Sequence, residues 1–211
     1  MKTEELIDFL AAGSETAVPH GVFKWLAKAL AAGAVGALLV MLLGWGPRPD
    51  LASAFATAPF LWRMAFMLSV IAIAYFLTSR LARPGLSSRH EWLLVAAPFI
   101  VAWLIAAQVL LAAPERHALL FGATWKSCSL NIAAISIPVW LALMWSIRGL
   151  ATTRFRITGF VAGFLAGAIA ALVYCFTCDE MSVPFWSLWF FIGMLLPAIA
   201  GALCSRWILR W

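Results

Sequence analysis

Charge is what this chain has least of. Only 11% of its 211 residues are charged, against 64% hydrophobic, and its mean hydropathy of +0.97 lies far outside the soluble range. That excludes a water-soluble globular domain, because so few polar side chains cannot cover an aqueous surface. Ionisable groups are scarcest where a carrier would need them. Transporters and proton pumps keep such groups at mid-depth, where an ion or proton can rest; here Gln108 is the only strongly polar side chain well inside an apolar span. Arg63 and Glu91 fall at span ends, from which long side chains are expected to snorkel to water. HExxH, GxSxG, a P-loop and an internal repeat are all missing. The chain therefore reads as non-enzymatic and without a cofactor.

What is present is a set of six apolar spans: Ala27 to Trp45, Phe60 to Thr78, Trp92 to Ala112, Ser129 to Ile147, Ile157 to Phe176 and Phe185 to Cys204. Each has the roughly 20 residues that an α-helix needs to cross ~30 Å of hydrocarbon. The expected fold class is all-α, an integral membrane bundle of six transmembrane helices. Residues 1–25 form a polar N-terminal arm and residues 26–211 the bundle. No charged n-region followed by an early apolar run opens the chain, so a cleaved signal peptide is not expected. The connecting loops are too short to hold a second domain.

The basic residues are partitioned between the two faces. An even number of spans puts Lys2, Lys24, Lys28, Arg80, Arg83, Arg89, Arg148, Arg154, Arg156, Arg206 and Arg210 on the face of both termini, leaving Arg48, Arg63, Arg116 and Lys126 opposite. The positive-inside rule then makes N- and C-termini cytoplasmic. Asp50, Glu115, Asp179 and Glu180 balance the outer positives, so the net charge of +6 resides inside. A pI of 9.6 thus describes loops beside anionic lipid headgroups. The basic residues are too dispersed for direct nucleic-acid binding. Trp45, Trp62, Trp92, Trp125, Trp186, Trp207 and Trp211 lie near span ends, where indole rings favour the membrane interface.

Small residues mark the helix contacts. Gly159, Gly163 and Gly167 recur every fourth residue on the fifth span, and Gly193, Pro197 and Gly201 repeat the spacing on the sixth. Such stripes let helix backbones approach where lipid supplies no hydrophobic drive. Packing within the bundle is the expected use, with homodimerisation as the competing one.

Two of the four cysteines, Cys128 and Cys178, fall at the outer ends of the fourth and fifth spans, facing the oxidising side. Three readings stand open: a structural disulfide, a reversible thiol pair or soft-metal ligand set acting as a sensor, or inert packing. Lys126 beside Cys128 would favour thiolate, whereas Asp179 and Glu180 beside Cys178 would oppose it unless a cation lies between. A soft or borderline cation held by Cys128 and Cys178, with Asp179 and Glu180 as auxiliary ligands, would reward this mixture. Cys175, one turn inside the membrane, and Cys204, near the other end of the last span, read as small apolar residues.

In the arm, Thr3 to Leu10 reads as a short helix capped by Thr3, with Glu4 and Glu5 in its first turn and Leu6, Ile7, Phe9 and Leu10 forming an apolar face. So short a helix needs a surface to dock on. Without basic residues it suits a basic, groove-like protein surface better than anionic lipid.

The segments TEELIDFLAAG, KSCSLNI leading to Pro138 and Trp140, the GxxxGxxxG stripe, YCFTCDEMSVPFW and LPAIAGALCSRWILRW together resemble the NrsF-type negative regulators of sigma factors, six-span inner-membrane anti-sigma factors of proteobacteria. The similarity is strongest from Cys128 to Trp211. It implies a multi-pass protein of the bacterial inner membrane whose cytoplasmic face holds an extracytoplasmic-function sigma factor inactive. It further implies that Cys128 and Cys178 receive a heavy-metal or oxidative signal from outside. The sigma-contact role of Leu6, Ile7, Phe9 and Leu10 rests on their shape and charge, not on the resemblance. The rival expectation is a small metal-ion transporter or efflux component, with Cys128 and Cys178 as an entry site.

Overall fold

The computed structural model describes residues 19–82, 91–150 and 154–208; the arm residues Leu6, Ile7, Phe9 and Leu10 lie outside them. Every regular element among the described residues is helical. In chain order these are α1 (Pro19–Gly44), α2 (Leu51–Ala54), α3 (Ala58–Leu81), α4 (Glu91–Ala112), α5 (Arg116–Phe121), α6 (Trp125–Arg148), α7 (Phe155–Tyr174) and α8 (Val183–Ile208). Six stretches are long and apolar enough to span a bilayer, one containing both α5 and α6. The fourth expected span thus starts earlier than its apolar run suggested: the helix begins at Trp125, and Cys128 is already in its first turn.

The bundle is organised around α7. Its 20 residues include Gly159, Ala162, Gly163, Ala166, Gly167, Ala168, Ala170 and Ala171, all buried, and such small side chains let neighbours close in on every side. α8 packs against it most extensively, with α6 and α3 completing the surround; α1 lies on α6, and α4 is peripheral, resting mainly on α8. A Cβ on Gly163 would collide with the carbonyl of Pro197, and one on Gly159 with that of Gly201. On Gly167 it would lie 2.7 Å from the Met194 Cα. The stripe therefore faces α8 within the same chain. A second crossing joins α1 to α6, where a Cβ on Gly33 would lie 2.7 Å from the Val139 Cα and one on Gly36 2.8 Å from the Pro138 Cβ.

Large apolar side chains also cover the outside. Leu43, Leu111 and Trp145 are 87%, 74% and 76% exposed, normal where the solvent is hydrocarbon and untenable at this density in water. Gln108 also faces outward. Among the described tryptophans, one differs from the sequence expectation. Trp186 is not an interfacial anchor but a core residue, 1% exposed, with its ring against that of Phe66.

Loops 1, 3 and 5 meet at one end, joined by bonds from Arg48 to Phe176 and from Ser182 to Leu119. That end is the cysteine face. Lys24, Lys28, Arg80, Arg148, Arg154, Arg156 and Arg206 lie toward the opposite, basic face, as alternate crossing requires.

Candidate functional site: the cysteine turn

The site is built on the C-terminus of α7. A helix end leaves carbonyls without intrahelical partners and carries the negative end of the helix dipole; at a membrane end packed under loops, these need donors from elsewhere. Two arginines supply them. Arg63, projecting from the first turns of α3, donates from Nη1 to the Glu180 carbonyl at 2.6 Å. From Nη2 it donates to the carbonyls of Cys175 at 3.1 Å and Cys178 at 3.3 Å. Arg48, from loop 1, donates from its backbone N–H to Phe176 at 3.0 Å and from Nη1 to the same Cys178 carbonyl at 3.3 Å. Thr177 donates to the carbonyl of Gly46 at 3.1 Å.

Arg63 corrects the sequence expectation most sharply. It does not snorkel; it is fully buried, flanked by the rings of Phe60 and Phe190 at 5.5 and 5.8 Å. The ion pairs among the described residues belong to Arg48, with Asp50 at 2.5 Å and Asp179 at 3.3 Å. Arg63 is thus neutralised by carbonyl dipoles and not by a carboxylate, and its Nε has no hydrogen-bond partner. A buried guanidinium with an unused donor is costly, which makes Arg63 a candidate site residue. The legible signal was an arginine one and a half turns into an apolar helix, in FLWRMAF.

The cysteines gather around this cation. Cys128 and Cys175 are fully buried and Cys178 is 3% exposed; all four cysteines are free thiols. The three thiols and Arg63 lie close enough to interact electrostatically. Cys175, read from sequence as an apolar filler, is fully buried and forms with Cys178 a CxxC pair, Cys175-Phe176-Thr177-Cys178, across this turn. Its Sγ lies 3.2 Å from the carbonyl of Ala171. Burial pushes the Cys178 thiol up from its ordinary value, and Arg63 opposes that shift. Lys126, the expected cationic neighbour of Cys128, is exposed and sits over the Trp125 ring at 5.6 Å. Cys204 is remote, in the last turns of α8 toward the basic face.

The two acidic residues are committed elsewhere. Asp179 is exposed and pairs with Arg48. Glu180 accepts the backbone N–H of Ala123 at 2.8 Å, fixing the entry to α6. Its carboxylate fills the space over Gly122, whose φ of +49° favours glycine and whose added Cβ would lie 2.6 Å from Oε1. Among the described residues, no group of three or more His, Cys, Asp or Glu is placed to hold a metal ion. At the rim, Asp50 holds Arg48 above its ordinary value, and the hydrogen bond from Arg48 holds the Asp50 carboxyl below the usual carboxylate range. One turn into the membrane, Asn131 Nδ2 lies 3.4 Å from the Tyr174 hydroxyl, linking α6 to α7.

The family described as "NrsF: Negative regulator of sigma F" matches residues 10–211. The chain belongs to the NrsF family. Over 213 residues it is 42% identical to the probable anti-sigma-F factor NrsF of Azospira oryzae, covering 100% of both chains. Over 221 residues it is 36% identical to the anti-sigma-F factor NrsF of Caulobacter vibrioides, again over 100% of both. No solved structure matches it. Family membership places the chain among non-enzymatic regulators.

Proposed function

We propose that this protein is a membrane-bound anti-sigma factor that sequesters an extracytoplasmic-function sigma factor at its basic, cytoplasmic face and releases it when the cysteine face meets heavy-metal or oxidative stress. The carrying observation is end-to-end similarity to two anti-sigma-F factors. The six-span architecture and the excess of Lys and Arg at one face support an inner-membrane location with both termini inside. In this reading Cys128 and Cys178 are the signal-receiving thiols. The place of Cys178 supports a responsive site, since the turn that carries it is the one to which α3 and loop 1 are fastened, and Glu180 two residues on holds the entry of α6.

Two signals fit the thiols. A two-electron oxidant arriving from outside would take two electrons and both thiol protons from Cys128 and Cys178 as their sulfurs join. A soft cation would displace their protons, and recruiting Glu180 as a further ligand would take its carboxylate from Ala123 and loosen the entry of α6. The sigma contact is assigned to the arm, through Leu6, Ile7, Phe9 and Leu10. A sigma-dependent reporter tests the sensing role: Cys128→Ser and Cys178→Ser should alter stress induction, while Cys204→Ser should not. Equal behaviour of the three variants would reduce the outer pair to packing residues. Co-purification tests the arm. Leu6→Asp combined with Phe9→Asp removes apolar contacts worth ~1.5–3 kcal/mol each when buried, so sigma recovery should fall at least ~100-fold; undiminished recovery would move the contact to the basic loops.

A further inference from the structure

The end of α7 carries two thiols within one turn. The helix tightens as it stops: the N–H groups of Cys175, Phe176 and Thr177 donate to the carbonyls three residues back, those of Leu172, Val173 and Tyr174, at 3.2, 3.1 and 3.0 Å. Bonds of that span wind the chain toward the 3₁₀ form, in which side chains three residues apart eclipse. Cys175 and Cys178 have that spacing, and the Cys178 N–H, donating to the Tyr174 carbonyl at 3.0 Å, keeps the winding helical as far as the second thiol. Such winding sets their Cα atoms ~5–6 Å apart, inside the ~4.4–6.8 Å range of a disulfide. Arg63 Nη2 holds both residues by their carbonyls, so one cation spans the pair. That cation has no carboxylate among the described ion pairs and an unused Nε donor. A guanidinium so placed favours thiolate, the form that attacks a disulfide.

Cys128 is placed differently. It stands in the first turn of α6, whose entry is fixed by the bond from Ala123 to the Glu180 carboxylate, whereas Cys178 belongs to the turn fastened by Arg48 and Arg63. A disulfide between them ties two separately anchored elements. Cys175 needs only to swing its own side chain from the Ala171 carbonyl to meet the Cys178 sulfur.

We propose that Cys175 is a resolving thiol, which attacks the Cys178 sulfur of a Cys128–Cys178 disulfide and leaves a Cys175–Cys178 disulfide inside the turn. The bond between the Cys128 and Cys178 sulfurs breaks as the new one forms; Cys128 departs as thiolate and takes up the proton that Cys175 gives up, with no net oxidation or reduction in this step. The inference rests on the sensing role proposed above, which supplies the first disulfide. The tie to α6 is then transient, and the lasting oxidised form is confined to the turn whose carbonyls bind Arg63 and Arg48.

Disulfide mapping tests the exchange. Full-length protein is reduced, treated with hydrogen peroxide, quenched in acid at intervals, unfolded in SDS, alkylated and read by mass spectrometry. In the native chain the Cys128–Cys178 linkage should appear early and give way to Cys175–Cys178, with Cys128 alkylated again and Cys204 alkylated throughout. Cys175→Ser and Cys175→Ala should both trap Cys128–Cys178, raising its final share at least ~10-fold, the ratio set by a difference of ~1.4 kcal/mol between the two disulfides. A native chain that ends as Cys128–Cys178 with Cys175 alkylated overturns the inference and leaves the sensing role standing. Cys175 variants whose Cys178 is oxidised without joining Cys128 overturn it as well. All three thiols alkylated after peroxide in the native chain would overturn both the inference and the oxidative sensing role.

Discussion

Replacing Arg63 should open the cysteine turn without unfolding the bundle. In Arg63→Leu the carbonyls of Cys175, Cys178 and Glu180 lose donors now at 3.1, 3.3 and 2.6 Å. Hydrogen bonds from a charged donor contribute ~1.5–3 kcal/mol each, while removing the buried charge itself returns several kcal/mol of desolvation. The balance is a local loss of about 3 kcal/mol, which raises the open population of the turn roughly 150-fold. Arg63→Lys keeps the charge but gives up the planar fork that reaches three acceptors, so its turn should open only ~10-fold more often than the native one. The assay is alkylation of the intact protein read peptide by peptide. Cys178 is 3% exposed and reacts only through opening, and Cys204 at the far end serves as internal standard. Labelling of Cys178 should rise in the order native, Lys, Leu, with Cys204 unchanged. A Cys178 rate within twofold of native in both variants would refute the view that Arg63 holds the turn.

Gly163→Ala should destabilise the detergent-solubilised protein by at least ~2 kcal/mol, because its Cβ meets a backbone carbonyl on α8 that cannot rotate away; Gly44→Ala, with nothing within 4 Å, should stay within ~0.5 kcal/mol of native. Equal melting temperatures for the two variants would contradict the α7–α8 contact. At the rim, the depressed Asp50 carboxyl means that its contribution is fully present above the ordinary carboxylate range and is lost only as pH falls through its lower folded value. An NMR titration of Asp50 with a midpoint at or above the ordinary value would count against the Arg48 clamp. Reporter fusions after Trp211 should read as cytoplasmic and fusions near Glu115 and Glu180 as external; an external C-terminus would place the thiols on the wrong side.

Spans were legible in the sequence because each is an uninterrupted apolar run of the required length, and that signal is independent of tertiary structure. Helix faces were not. In lipid, outward and inward residues are equally apolar, so Trp186 in the core and Trp207 at 69% exposure look alike along the chain. The glycine stripe was an exception, because smallness reports a close backbone approach directly. At the cysteine turn the sequence pointed to Cys128 and Cys178 by their shared end; the CxxC spacing of Cys175 and Cys178 was equally legible and was passed over, as was the burial of Arg63. Cys175 and Arg63 lie within apolar runs, where one was taken for a filler and the other for a snorkelling end residue. What makes them part of the site is the bare end of α7, and no local pattern reports which distant donor will satisfy a helix terminus.

The way the helices are joined restricts how a change at the turn can travel. α7, α8, α6 and α1 are locked by glycine contacts in which added Cβ atoms would strike backbone or Cβ atoms of the neighbouring helix. None of the described glycines makes such a contact with α3 or α4. α3 is instead held to the core by side chains, with Arg63 as its polar tie to the end of α7. A modification at Cys178 that shifts its carbonyl therefore acts first on Arg63 and on Arg48, which share that acceptor. The pairs joined by glycine contacts leave least room to shift, which makes α3 the candidate for movement. Its far end carries Arg80 at the basic face, so a small tilt about its buried middle at Met67 and Val70 would displace the side on which the proposed sigma contact lies. Under the proposed sensing role, Arg63 stands between the thiols and the basic face, and Arg63→Leu should raise a sigma-dependent reporter without stress even with Cys128 and Cys178 intact; an unchanged reporter would refute the coupling.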